Sequence, residues 1–182
     1  MMAFEYGHTI GLILIPGILW ASWVDYSQRR VPNWLNLTLI ILGFAAQFVF
    51  FGLGGLWTGL LGMLTGFGLL IVPWLMHGMG AGDVKLLSAI GVWLGPWLTL
   101  GSFIVGAFLG AVAAIVMILS TGRLRMACAN LGVIFAKCLN RQTIFSEFGS
   151  AKSFGTTSQL LPYGVPLTAG TLLVLGTRMW GW

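Results

Sequence analysis

The sequence predicts an all-α membrane protein, a six-span helical bundle with an amphipathic helical loop on the cytoplasmic side. Three observations predict it. The 182 residues are 58% hydrophobic and 7% charged, where a soluble domain carries roughly 25% charged residues. The apolar runs are continuous, whereas strands of a membrane barrel would alternate polar and apolar residues. A helix needs about 20 apolar residues to cross the hydrocarbon core, which leaves room for five or six spans once the polar loops are set aside. The basic residues, counted below, favour six.

The first span runs from about Thr9 to Val24. No basic flank precedes it and no small-residue cleavage site follows, so it reads as a retained span and not a signal peptide. A polar loop, Asp25 to Asn33, leads to a second span from about Trp34 to Phe51. Gly52, Gly54 and Gly55 predict a tight turn into a third span, about Leu56 to Met76. A glycine-rich stretch follows, then a short helix from Val84 to Leu94 that Gly95-Pro96 should interrupt. That segment is too short to cross alone and must extend to Trp97. Another span covers about Trp97 to Leu119, and the last runs from about Leu160 to Trp180. Glycines recur four apart at Gly55 and Gly59, Gly62 and Gly66, Gly106 and Gly110, a spacing that lets helix backbones pack closely within the bundle.

With six crossings, Arg29, Arg30, Lys85, Arg123, Arg125, Lys137, Arg141 and Lys152 share one side and Arg178 falls on the other. The positive-inside rule makes the first side cytoplasmic. The same rule accounts for the net charge of +5; no basic patch with interleaved aromatics points to nucleic acid. Within the loop at about 121–159, Arg123, Asn130, Lys137 and Arg141 fall on one helical arc, with Leu124, Cys128, Leu131, Phe135 and Cys138 opposite. This predicts a basic amphipathic helix lying on anionic lipid. Cys128 and Cys138, ten apart, form neither a zinc motif nor a convincing disulfide. The whole chain, 1–182, reads as a single membrane-embedded domain that needs no metal and no cofactor.

Only Glu5, Asp25, Asp83 and Glu147 are acidic, and an acid set between strongly apolar runs is costly. Asp25 closes the first span and Asp83 precedes the short helix, so the topology puts both on the cytoplasmic face. Two carboxylates that share a site do not both ionise easily. The ionised member can activate water while the protonated member donates to a scissile carbonyl oxygen. The helix start and Lys85 favour an anion at Asp83, which assigns it the role of base and Asp25 that of acid. The plain alternatives are an Asp25–Arg29 pair at i, i+4 and an N-cap role for Asp83. His77, at a membrane edge without a second ligand nearby, and Glu147, in the loop, rank lower.

Three local stretches carry a family resemblance. Asp25, followed seven residues later by Pro32-Asn33, resembles the first catalytic aspartate of the type IV prepilin peptidases. Gly80-Ala81-Gly82-Asp83, with Lys85 after it, resembles the GxGD motif of the membrane aspartyl proteases to which they belong. Pro162-Tyr163-Gly164 resembles the Pro-aromatic-Gly opening of their last span. The resemblance implies catalytic Asp25 and Asp83, with Gly80, Gly82, Lys85, Pro32, Asn33, Pro162, Tyr163 and Gly164 shaping the site. It implies a membrane-inserted prepilin as substrate, cut at its short basic leader, with pilus or secretion machinery as further partners. The loop after Asp25 is short and lacks paired cysteines, which resembles the methylase-free class of tight-adherence (Flp) systems. Two rival readings stand beside this one: a small proton-coupled transporter or channel with the aspartates as a relay, and an inactive scaffold in a secretion machine.

Overall fold

The computed structural model describes residues 2–28, 31–75, 80–121 and 163–179. Every regular element among them is helical, with no strand. Helix α1 (Met2–Thr9) passes through a π-helical turn (Ile10–Leu14) into α2 (Ile15–Gln28). In that turn the Ile15 N–H bonds the Ile10 carbonyl, five residues back. Widening the helix there accommodates Pro16, which has no N–H to offer the preceding turn. Helix α3 covers Asn33–Leu75, α4 covers Ala81–Thr121 and α5 covers Gly164–Met179. Three stretches are long and apolar enough to cross a membrane: Glu5–Gln28, Asn33–Leu75 and Ala81–Val116. Large apolar side chains such as Leu12, Trp23, Val49, Trp57, Trp97 and Phe108 point outward. Such an apolar exterior is what lipid requires and what water would penalise.

Helices α3 and α4 each break at one glycine with positive φ, Gly52 (φ 61°) and Gly95 (φ 73°). L-residues with a Cβ rarely hold these angles. The turn expected around Gly52 is therefore real, although the helix resumes at once instead of looping. The second limb of α3 folds back on the first, and Gly59 packs against Phe44 and Val92. The interruption expected at Gly95-Pro96 also stands, while the start of α4 differs. The helix opens at Ala81, two residues before Asp83, so Asp83 lies in its first turn instead of capping it from outside.

The first limb of α4, residues 81–94, is the most buried stretch among the described residues. Leu86, Leu87, Ala89, Ile90, Val92 and Trp93 are all fully buried. A helix that is apolar on every side belongs inside a bundle. The Gly95 break would strand the last carbonyls of this limb in an apolar core, where an unmatched polar group is costly. Two side chains meet them. Gln47, 3% exposed, donates from Nε2 to the carbonyls of Val92 (3.0 Å) and Trp93 (3.3 Å), and the Tyr6 hydroxyl donates to Trp93 at 2.6 Å. Trp93 in turn donates its indole N–H to the Leu39 carbonyl at 2.8 Å.

The chain forms two compact units, residues 1–110 with 162–182, and residues 111–161. The second contains the loop at about 121–159, and the basic helix predicted within that loop lies outside the described residues. Within the first unit the limbs meet glycine to glycine. A Cβ on Gly91 would overlap the Gly62 carbonyl, and one on Gly62 would overlap the Gly91 carbonyl. Gly106 packs closely on the backbone of Pro166 and Leu167, 3.1 Å from where its Cβ would lie. The glycines spaced four apart thus serve packing inside the bundle.

This seam makes a direct prediction. Gly91→Ala sets a Cβ against backbone that cannot rotate aside, an overpacking cost of about 1–3 kcal/mol. Its thermal midpoint in detergent should fall clearly below that of wild type. Gly68→Ala, with nothing within 4 Å of the added carbon, should melt like wild type. Equal tolerance at both positions would mean that the two limbs are not in close contact.

Candidate active site

Four chain segments meet at one end of the first unit: the end of α2, the turn before α3, and the starts of α4 and α5. Asp25 sits in the last turn of α2 and is 6% exposed. Its Oδ2 accepts the backbone N–H of Gly164 at 3.0 Å. Gly164 is the first residue of α5, and the first N–H groups of any helix lack partners within it. Asp25 therefore caps α5 from a different helix, and the dipole of α5 favours a negative oxygen at that point. Gly164 has to be glycine, because a Cβ there would lie 2.7 Å from Asp25 Oδ2 and 3.2 Å from Cγ. One turn further in, Ser22 Oγ lies 2.5 Å from Thr168 Oγ1 and donates to the Gly164 carbonyl at 3.2 Å. These contacts lock α2 to α5 around the carboxylate.

Asp83 is held by its own turn. Its N–H bonds the Gly80 carbonyl at 3.2 Å. The side chain is 6% exposed, with Oδ1 buried and without a partner. Gly82 lets the turn before α3 approach, since a Cβ there would come within 3.1 Å of Val31 Cβ and 3.3 Å of Val31 N. The turn is stitched down at two further points. Lys85 Nζ donates to Asn33 Oδ1 at 2.8 Å, and the Asn36 N–H bonds the Pro32 carbonyl at 3.3 Å. Lys85 thus spends its close hydrogen bond on Asn33. The ends of α2 and α4 bring the two carboxyls near enough for the Asp25 charge to bear on Asp83.

Of the residues nominated from sequence, Asp25, Asp83, Gly80, Gly82, Lys85, Pro32, Asn33, Tyr163 and Gly164 all fall at this end of the unit. Tyr163 supplies the carbonyl that accepts the Leu167 N–H at 3.2 Å. Pro162, His77, Glu147, Cys128, Cys138 and the arginines at 29 and 30 lie outside the described residues. Sequence reasoning missed Ser22, Thr168 and Asn36. Their signal was a small polar residue inside an apolar run one turn from a nominated one, a pattern common enough in membrane helices to pass unnoticed. Among the described residues no group of three His, Cys, Asp or Glu could hold a metal ion.

The cap on α5 can be tested by a double-mutant cycle. Gly164→Ala should destabilise the protein by about 1–3 kcal/mol, by pressing on the Asp25 carboxyl. In an Asp25→Ala background, where that carboxyl is gone, the same substitution should cost measurably less. Additive costs in denaturant melts would mean that the two residues do not touch.

No curated protein and no solved structure matches the chain. A family model described as the type IV leader peptidase family matches residues 12–115. The match contains Asp25, the Pro32-Asn33 turn, the Gly80–Asp83 stretch and Lys85, and it covers more than half of the sequence. The chain therefore belongs to the type IV leader peptidase family.

Proposed function

We propose that the protein is an intramembrane aspartyl endopeptidase that removes the short basic leader of membrane-inserted prepilins at the cytoplasmic membrane face. Family membership implies a peptidase. The observation that carries the finer reading is the pair of buried carboxyls, Asp25 and Asp83, whose charges interact across α2 and α4. Asp25 is anchored through one oxygen by the Gly164 N–H, and Asp83 Oδ1 has no partner, which leaves oxygens of both available for reaction. Hydrolysis by such a pair requires no covalent intermediate.

In the proposed reaction, water attacks the scissile carbonyl carbon and gives a proton to ionised Asp83. Protonated Asp25 gives its proton to the carbonyl oxygen. On collapse, the C–N bond breaks, Asp83 returns its proton to the leaving nitrogen, and the hydroxyl of the intermediate returns its proton to Asp25. The division of roles rests on the helix start and Lys85 beside Asp83, although the Gly164 N–H and the start of α5 also favour an anion at Asp25. Asp83 Oδ1 is a buried acceptor with no donor of its own, open to a hydrogen of the attacking water. One oxygen of Asp25 is occupied by Gly164, leaving the other to carry the acid proton.

The same reading places six crossings in the inner membrane, with reversals at Gly52 and Gly95, and the basic residues together with the site on the cytoplasmic side. The loop at 121–159 would rest on anionic lipid. The short turn between Asp25 and Pro32 leaves no room for a methyl-transfer insertion, in keeping with a Flp-type system, whose pilus or secretion machinery would be the partner. The relay reading fits less well, because both aspartates stand at helix ends instead of mid-span.

Co-expression with a candidate prepilin, read as a mobility shift, tests the activity, and single-turnover cleavage by purified variants tests the roles. Asp25→Asn and Asp83→Asn should each lose at least about a hundredfold. Asp25→Asn should retain more turnover, since Asn still accepts the Gly164 N–H but cannot replace a base. A reversed order would exchange the roles, and near-normal turnover in either variant would remove the dyad.

A further inference from the structure

Asn36 lies one helical turn beyond Asn33 on α3, between Leu35 and Leu37, and is 2% exposed. Its Nδ2 reaches the Gly82 carbonyl at 3.5 Å, the peptide group that leads straight into Asp83. Its Oδ1 is buried without a partner, and so is Asp83 Oδ1. Two buried, unmatched acceptors, on residues that the Gly82 carbonyl links, are unusual and costly. Turning the Asn36 amide over gives no relief, since it would press Oδ1 against the Gly82 carbonyl, acceptor against acceptor.

Among the described residues, Lys85 donates to Asn33 and the Asn36 N–H to Pro32, and neither Oδ1 receives a donor. A water molecule carries two hydrogens and suits a pair of acceptors. Peptide hydrolysis requires a water at Asp83.

We propose that Asn36 is a positioning residue for hydrolysis: Nδ2 steadies the Gly82–Asp83 turn, while Oδ1 and Asp83 Oδ1 together receive the two hydrogens of the attacking water. The proposal rests on the peptidase reading above. With one hydrogen bonded to Asn36, the water keeps its oxygen lone pair free for the carbonyl carbon and presents its other hydrogen to the base. Asn36 touches the water and leaves the peptide to other groups, so its loss should slow the chemical step without weakening substrate binding.

Asn36→Thr and Asn36→Val have nearly the same shape and differ in a hydroxyl that can donate and accept. Both are to be purified in detergent and assayed against a prepilin substrate over a range of concentrations, with thermal melts run alongside. Asn36→Val should lose about tenfold or more in kcat, the worth of one well-placed hydrogen bond, while Asn36→Thr stays within about threefold of wild type. KM should be unchanged in both. Equal kcat values for the two variants, or a loss confined to KM, would overturn the inference. Should Asn36→Val fail to fold, Asn36→Ala against Asn36→Ser makes the same comparison. A wild-type protein that leaves prepilins uncut defeats the peptidase reading and this inference with it, whereas a cutting wild type with matched variants defeats the inference alone.

Discussion

A carboxyl group can stay buried in an apolar bundle only if polar partners replace the water it has lost. At Asp25 that partner is the N–H of Gly164, which would otherwise be one of the orphan donors at the start of α5. One hydrogen bond thus meets two needs. It also joins residues 139 positions apart in the chain, tying the first membrane helix to the last described one. The Ser22–Thr168 contact repeats the tie one turn deeper. The site at this end depends on that join, because without it neither the orientation of α2 nor that of α5 would be set at the carboxylate.

The opposite end of the buried limb of α4 obeys the same constraint. The Gly95 break frees two carbonyls, and Gln47 and Tyr6 supply the donors. With its far end held by side chains of α1 and α3 and its sides lined by Gly62 and Gly66, the limb has little freedom to rotate or slide. Asp83 sits in the first turn of this fixed rod. The rigidity that positions it therefore originates in polar contacts two to three turns away, at residues that take no part in any reaction.

Much of this was legible in the residues. Continuous apolar runs marked the helices, and Gly52 and Gly95-Pro96 marked their breaks, because a positive φ and a missing N–H are local properties. Asp25 and Asp83 stood out because few residues in the chain are acidic. Gly164 was nominated through resemblance, but its physical reason, the Asp25 oxygen against its α-carbon, is a contact between distant segments. Gln47 and Asn36 were illegible for a related cause. A single amide in an apolar helix can face a pore, a neighbouring helix or a freed carbonyl, and only the packing decides which. Lys85 was expected to act on Asp83 through charge, yet its shortest contact is with Asn33, a partner set by how the turn before α3 folds over Gly82.

The central claim is that Asp25 and Asp83 work on one peptide bond. The most direct measurement is a structure of the Asp83→Asn protein with an uncleaved prepilin bound. The account predicts the scissile carbonyl between the two side chains, with residue 25 and residue 83 about 4–7 Å apart on the same membrane face. A leader bound elsewhere on the bundle, or the two residues on opposite faces, would contradict it.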